Sequence, residues 1–244
     1  MPFFRRGTFD SRIWSWVLSE YPTLPLSFAP GEVFIDVGCH TGAVCEFAAR
    51  RGATVVGYEA NRENYWFALL NLRDLRSVAV HQAAIWRSDL QPSRPLLFTP
   101  HADTENTGGG SVMFSSPEDH WSARPREEPE PLSGIGALSS HSVAAIALDD
   151  VLTACGPTRV LKLDAEGAEY PILLTSSRLD LVDSVVGEYH EFTEGAMAAL
   201  APDSVVGTEP YTADLLCRCL AAAGFEVYAT PARNGRGIFA AQRC

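Results

Sequence analysis

The sequence is short of basic residues, of closely spaced cysteine pairs and of long apolar runs, and each shortage removes a class of function. Lys and Arg number 19 against 30 Asp and Glu, a net charge of -11. Such a surface repels a phosphate backbone, and the only adjacent basic pairs, Arg5-Arg6 and Arg50-Arg51, are too small for a binding stripe. Nucleic acid is therefore not an expected partner. Six cysteines are present without a C-x-x-C pair, and Cys217 and Cys219 would point different ways on one helix. They read as thiols packed like small apolar residues in a reducing compartment. No apolar run approaches membrane-spanning length and no signal-peptide core opens the chain, so the expectation is a cytoplasmic protein with no membrane partner. There is no internal repeat. A third glycine is also missing: Gly38-x-His40-x-Gly42 is not G-x-G-x-x-G, which disfavours a dinucleotide site.

What is present is a chain of 244 residues, 46% hydrophobic and 20% charged, enough for one large α/β domain over residues 1–244. Its densest stretch is Val33-Phe34-Ile35-Asp36-Val37 followed by Gly38-Cys39-His40-Thr41-Gly42 and a helical run over 43–51. This reads as a buried parallel strand, a glycine turn and a helix start. Asp36 beside the turn would repel a pyrophosphate but attract a cation or a ribose. A second strand, 54–59, ends in Glu59, where an α/β nucleotide fold places the acid that grips ribose hydroxyls. A third, 78–85, would end beside these two. Ala83 and Ala84 there leave room for a flat base, with Gln82 placed to hydrogen-bond it.

Residues 1–30 precede the sheet. A short helix starts near Phe9, capped by Asp10 or Ser11, with Trp14 and Trp16 on it. Packing on the sheet edge is preferred for it over a lid. Asn61 or Asn64 caps a helix over 63–75. Residues 94–140 form an insertion, with short strands at 96–98 and 111–114 pairing as a hairpin or flap and an irregular Pro-rich stretch over 117–136. The alternation resumes with a strand at 143–148 and a helix start at Asp149. A strand over 160–164 then carries Lys162 and Asp164 on one face. A lysine inside a central strand is costly unless paired, so Asp164 or a neighbouring strand must answer it. The strand over 184–191 places Glu188 and His190 on one face. A helix over 211–223, a strand over 225–229 and a last strand over 237–241, after the turn at Asn234-Gly235, complete the chain.

Asp36-Val37-Gly38-x-His40-x-Gly42, Glu59 with Asn61 and Asn64, Leu148-Asp149-Asp150, Leu161-Lys162-Leu163-Asp164-Ala165-Glu166-Gly167-Ala168-Glu169 and Glu188-Tyr189-His190 together resemble the FkbM-type methyltransferases. The resemblance runs from about Glu32 to about Glu191, and its most specific part is Lys-x-Asp-x-Glu-Gly-x-Glu. It implies a class I S-adenosylmethionine fold: a Rossmann-like, doubly wound, mostly parallel seven-stranded sheet with its last strand antiparallel. It also implies O-methylation of a hydroxyl on a sugar, glycoside or other secondary metabolite. His40 stands where the family often has a small residue or Asn, at the methionine end of the cofactor.

The chemistry of the residues agrees with that implication. A sulfonium, an α-amino group and a ribose suit acidic strand ends better than a pyrophosphate does. Glu59 is expected to hold the ribose, Asp36 to face the amino-acid end, and Gly38 and Gly42 to let the cofactor lie against the backbone, with Asp164 at the topological centre of the sheet, where open α/β folds bind ligands. His40, Ala60, Asn64, Gln82 and Ala83 complete the expected cofactor contacts. Methyl transfer to an alcohol needs alignment and removal of the hydroxyl proton. The candidates for that proton are His190, Glu188, Asp164 and Glu166, with His190 preferred and Lys162 offsetting the excess negative charge. Asp164, Glu188 and His190 share a sheet edge that would also suit a metal. The resemblance argues against one, so no metal is expected. The partner expected is a hydroxylated small molecule, and association of identical subunits is compatible with the sequence. The alternative classes are an NAD-type oxidoreductase and a non-catalytic binding protein on the same fold.

Overall fold

Strand β1 (Val33–Val37) is an inner strand of a seven-stranded sheet. With β2 (Thr54–Glu59), β3 (Val78–Gln82), β4 (Thr158–Leu163), β5 (Val182–His190), β6 (Phe225–Ala229) and β7 (Arg236–Arg243), the order is β6-β7-β5-β4-β1-β2-β3. The pairings among β1 to β5 are parallel, and β7 runs antiparallel to both of its neighbours. This is the doubly wound, class I sheet with an antiparallel last strand that the resemblance implies. The computed structural model describes residues 2–25, 27–90, 94–103, 105–123 and 140–244, without the side chains of 121–123. The part of the expected Pro-rich stretch over 124–136 lies outside the described residues.

The central strands are apolar on both faces because helices cover both. Ile35 and Val37 point into one core with Leu161 and Leu163, while Phe34 points into the other with Val55, Val160 and Cys45. The crossovers are α2 (Ala43–Ala49), α3 (Arg62–Leu72), α4 (Leu148–Cys155), α5 (Glu169–Thr175) and α6 (Ala213–Ala222). Asn61 caps α3 by accepting from the backbone N–H of Glu63 and Asn64. No helix among the described residues is long and apolar enough to cross a membrane. All six cysteines are free thiols.

Four local expectations are corrected. The run over 78–85 is broken after Gln82, and Ala84–Trp86 leaves the main sheet to pair in parallel with Ala145–Ala147. Leu96–Phe98 pairs antiparallel with His141–Val143 instead of with 111–114; Ser111 meets Thr99 through one isolated bridge. The two ends of the insertion thus close on each other. Pro117–Ala123 is helical, with Pro117 and two acids in its first turn and the Ser116 hydroxyl accepting from the N–H of Asp119.

The fourth correction concerns α1 (Asp10–Glu20). It packs on α2, over the carboxyl ends of the strands. Neither Asp10 nor Ser11 caps it: Phe9 sits at the N-cap without a side-chain hydrogen bond, and the Asp10 carboxylate accepts from the Arg5 guanidinium at 2.9 Å.

Gly42 has a packing role. Its φ is +98°, and a Cβ there would lie 2.7 Å from Leu72 Cδ1, where α2 begins against α3. Gly42→Ala is expected to cost about 1–3 kcal/mol of stability, through left-handed strain and overpacking together. Urea denaturation would measure it, and an unchanged midpoint would remove this role from Gly42.

Candidate active site

The carboxyl ends of β1, β2, β4 and β5 open into a cavity of about 840 Å³, roofed by α1 and the loop around Asn106 and Gly108. Beneath it lies a buried ion pair. Asp36 and Lys162 are register partners on β1 and β4, so their side chains emerge side by side on one face. Lys162 Nζ stands 3.1 Å from Asp36 Oδ1 and 3.7 Å from Asp164 Oδ2, and donates to the Gly38 carbonyl at 2.9 Å. Burial works against the ammonium charge, but Asp36 and Asp164 outweigh it and hold the Lys162 pKa above its ordinary value. The other oxygen of Asp36 accepts from the Cys45 thiol at 3.2 Å. Asp36 is therefore sealed under the turn, outside the cavity lining, in contrast to its expected place at the amino-acid end of the cofactor.

Gly38 does line the cavity, and only glycine fits it: φ is +74°, and a Cβ would fall 1.8 Å from the Asp164 carbonyl oxygen. The turns after β1 and β4 are locked together by this approach and by the Asp164 N–H, which donates to the Val37 carbonyl at 3.1 Å. The Asp164 carboxylate reaches the cavity and accepts from the Tyr21 hydroxyl at 3.1 Å. Tyr21 is pushed well above its ordinary pKa by burial and by Asp164, so it stays a donor.

Glu59, at the end of β2, lines the same cavity. One oxygen accepts from the His40 N–H at 2.8 Å and the other from the Asn61 N–H at 2.7 Å. Burial pushes its pKa up to about 7, against the pull of those two N–H groups and of Lys162. Each oxygen retains acceptor capacity, which fits a pair of ribose hydroxyls.

His40, at φ 52°, is held by its ring as well as its backbone. The Thr107 hydroxyl donates to Asp10 Oδ1 at 2.7 Å, so at 2.8 Å it accepts from His40 Nε2, which carries the proton. Burial pushes His40 down to about 4, and the ring is neutral. Asp10 is held below its ordinary pKa despite burial by Arg5 and Thr107. Arg5 also donates to Asn64 at 2.5 Å, and Asn64 donates to the Thr107 carbonyl at 3.0 Å. Asn64, expected on the cofactor, lines the cavity while its amide takes part in this clamp. Ala60 and Ala83 line the cavity; Gln82 and Gly42 do not.

The far end of the cavity is acidic. Asp164, Glu166, Glu188 and, from α1, Glu20 all line it. Burial and the Asp164 charge raise the pKa of Glu20, and likewise push Glu188 up to about 8. Arg236, from β7, places its Nε 3.6 Å from Glu188 Oε1. His190 is expected to face the substrate but stays outside the lining. Its Nε2 meets Glu166 at 3.3 Å and Glu188 at 3.5 Å, and its Nδ1 meets Glu169 at 3.5 Å. Burial opposes its charge, yet Glu166 and Glu169 prevail and hold its pKa up at about 9. Glu169 is fully buried and accepts from the N–H groups of Ala165 and Gly167 at 2.7 and 3.0 Å. The expected group of Lys162, Asp164, Glu166, Glu188 and His190 does converge, with His190 in the layer behind.

Sequence reasoning missed Tyr21, Glu20, Arg5, Thr107 and Arg236. All five come from the N-terminal segment, the insertion loop or the last strand, where no spacing signals a site. Glu169 was within reach, because its motif already marked the acids beside it.

Residues 36–227 match the family described as the Methyltransferase FkbM domain. No curated protein matches the chain significantly. Among solved structures, a precorrin-6y C5,15-methyltransferase from Geobacter metallireducens shares 12% identity at a TM-score of 0.46, covering 100% of this chain and 94% of that one. A SAM-dependent methyltransferase from Aquifex aeolicus shares 11% at 0.42, covering 96% and 94%. The magnesium protoporphyrin IX methyltransferase from Synechocystis, with SAM bound, shares 11% at 0.41, covering 96% and 77%. With the family match spanning most of its length, the chain belongs to the FkbM methyltransferase family and is an S-adenosylmethionine-dependent methyltransferase.

Proposed function

We propose that the chain methylates a hydroxyl of a small molecule, a sugar, glycoside or other secondary metabolite, at the acidic end of its cavity. The observation that carries this reading is the separation within one cavity of a lone acid, Glu59, from a group of acids, Asp164, Glu166, Glu188 and Glu20. S-adenosylmethionine supplies, when bound, a methyl group on a sulfonium that needs no further activation.

The chain's own residues do the rest. Glu59 accepts from the ribose hydroxyls. Gly38 lets the ligand lie against the backbone, and Ala60, Ala83 and Ala84 leave a flat space beside it. Asp164 faces the amino-acid end. Glu188 takes the hydroxyl proton: it lines the cavity, whereas His190 does not. Lys162, held charged beneath, offsets the negative charge of the site and cannot act as a base. The carboxylates repel a phosphorylated acceptor and favour one that donates hydrogen bonds, and Phe9 and Trp16 offer it apolar faces. A net charge of -11 argues in the same direction against nucleic acid.

Glu59→Ala should weaken S-adenosylmethionine binding by about 2 kcal/mol, through loss of charge-assisted hydrogen bonds. The pH dependence follows from the raised pKa of about 7. The ionised carboxylate is the acceptor, so affinity is full above that pH and falls as Glu59 protonates below it. Between pH 8 and pH 6 wild type should lose about tenfold in affinity, and Glu59→Ala should lose that dependence. Isothermal titration measures both, and a variant that binds like wild type at both pH values would take Glu59 away from the ribose.

Glu188→Gln should lower the single-turnover rate by on the order of 100-fold, the usual cost of losing a general base, with cofactor affinity unchanged. A wild-type rate in that variant would pass the proton to Asp164.

A further inference from the structure

At the acidic end, one oxygen of Asp164, one of Glu166 and a ring nitrogen of His190 all lie within 4.8 Å of one another. Grouped carboxylates alone would carry little weight, since acids gather on many surfaces. His190 is the separate observation. It is 7% exposed, and both ring nitrogens face carboxylates at 3.3 to 3.5 Å without hydrogen-bond geometry to any of them. A buried polar group left so is costly unless something else satisfies it. Its Nε2 is aimed between Glu166 and Glu188, at 3.3 and 3.5 Å. Its Nδ1 is turned to Glu169, a carboxylate fixed by two backbone N–H groups. A ring with one nitrogen turned to an anchored carboxylate and the other to a group of oxygens is oriented as a metal-ligating histidine is.

We propose that Asp164, Glu166 and His190 Nε2 bind a hard divalent cation, Mg²⁺ or Mn²⁺, and that this cation takes the acceptor hydroxyl as a further ligand. Two carboxylates and one imidazole, without a thiolate, suit these ions. Three protein ligands leave positions for two neighbouring oxygens of one acceptor, so the favoured substrate class is a vicinal diol. The inference departs from the expectation of a metal-free site, and it rests on reading the cavity as the place of methyl transfer. In the step itself the cation polarises the bound hydroxyl. The O–H proton passes to the Glu188 carboxylate, a C–O bond forms as the S–CH3 bond breaks, and the products are the methyl ether and S-adenosylhomocysteine. The cation is unchanged and no electrons are exchanged.

The test is Mn²⁺ binding to the full chain without cofactor, followed by electron paramagnetic resonance, alongside S-adenosylmethionine titration in EDTA. The expected result is one Mn²⁺ per chain, displaced by Mg²⁺. Affinity should fall at least tenfold in His190→Ala and in Glu166→Gln, and stay within twofold of wild type in Glu226→Gln, which removes an exposed acid on β6 outside the cavity. Circular dichroism identifies any variant that fails to fold; Glu166→Gln, a near-isosteric change in the turn after β4, keeps the test open if His190→Ala does so. Turnover should fall at least tenfold in EDTA and return with Mg²⁺. Absence of stoichiometric Mn²⁺ binding, or equal binding in folded His190→Ala and Glu166→Gln, overturns the site. Retained cofactor affinity in EDTA separates that outcome from a failure of the methyl-transfer reading, which would show as no cofactor binding at all.

Discussion

The site depends on the buried pair of Lys162 and Asp36. Two charges with almost no solvent access sit side by side at the centre of the sheet. Taking them out of water is expensive, and removal of either partner would strand the other, typically at about 3–5 kcal/mol. Their geometry is set by parallel register, which makes Asp36 and Lys162 neighbours on β1 and β4. The ammonium also fastens the Gly38 carbonyl, so the charge pair fixes the turn on which a ligand must lie. A lysine in a central strand is thus a support for the cavity floor, with its positive charge spread toward Asp164.

Above that floor the cavity is divided electrostatically. At one end Glu59 is alone and is steadied by two backbone N–H groups. At the other, several carboxylates face each other around His190, and their combined field favours a positive charge between them. The anchoring of Glu169 beneath His190 gives this end its rigidity. The same residue type thus sits in two different electrostatic settings, because burial and partners differ at each end.

The roof is made differently. Asp10, Thr107 and His40 form a relay of hydrogen bonds that joins the N-terminal segment and the insertion loop to the turn after β1. Arg5 closes the relay on Asn64. The clamp therefore sets the His40 N–H that supports Glu59, which ties the roof to the acid at the end of β2.

The sequence by itself determined the sheet and the acids at its strand ends. Apolar runs of strand length broken by glycine turns specify buried parallel strands, and period two places Lys162 beside Asp164 and Glu188 beside His190. Those are local rules, and they hold here. Tertiary structure decided which acids face the cavity. Asp36 and Glu59 look alike in sequence, each an acid near a strand end before a turn, yet a cross-strand lysine draws one beneath the floor and backbone N–H groups hold the other open. It also decided the roof, because Asp10, Thr107 and Arg5 meet only through contacts between segments far apart in the chain. No spacing or periodicity encodes such contacts; they exist once the sheet has brought those segments together, and hydrogen-bond satisfaction in a buried space then selects the partners.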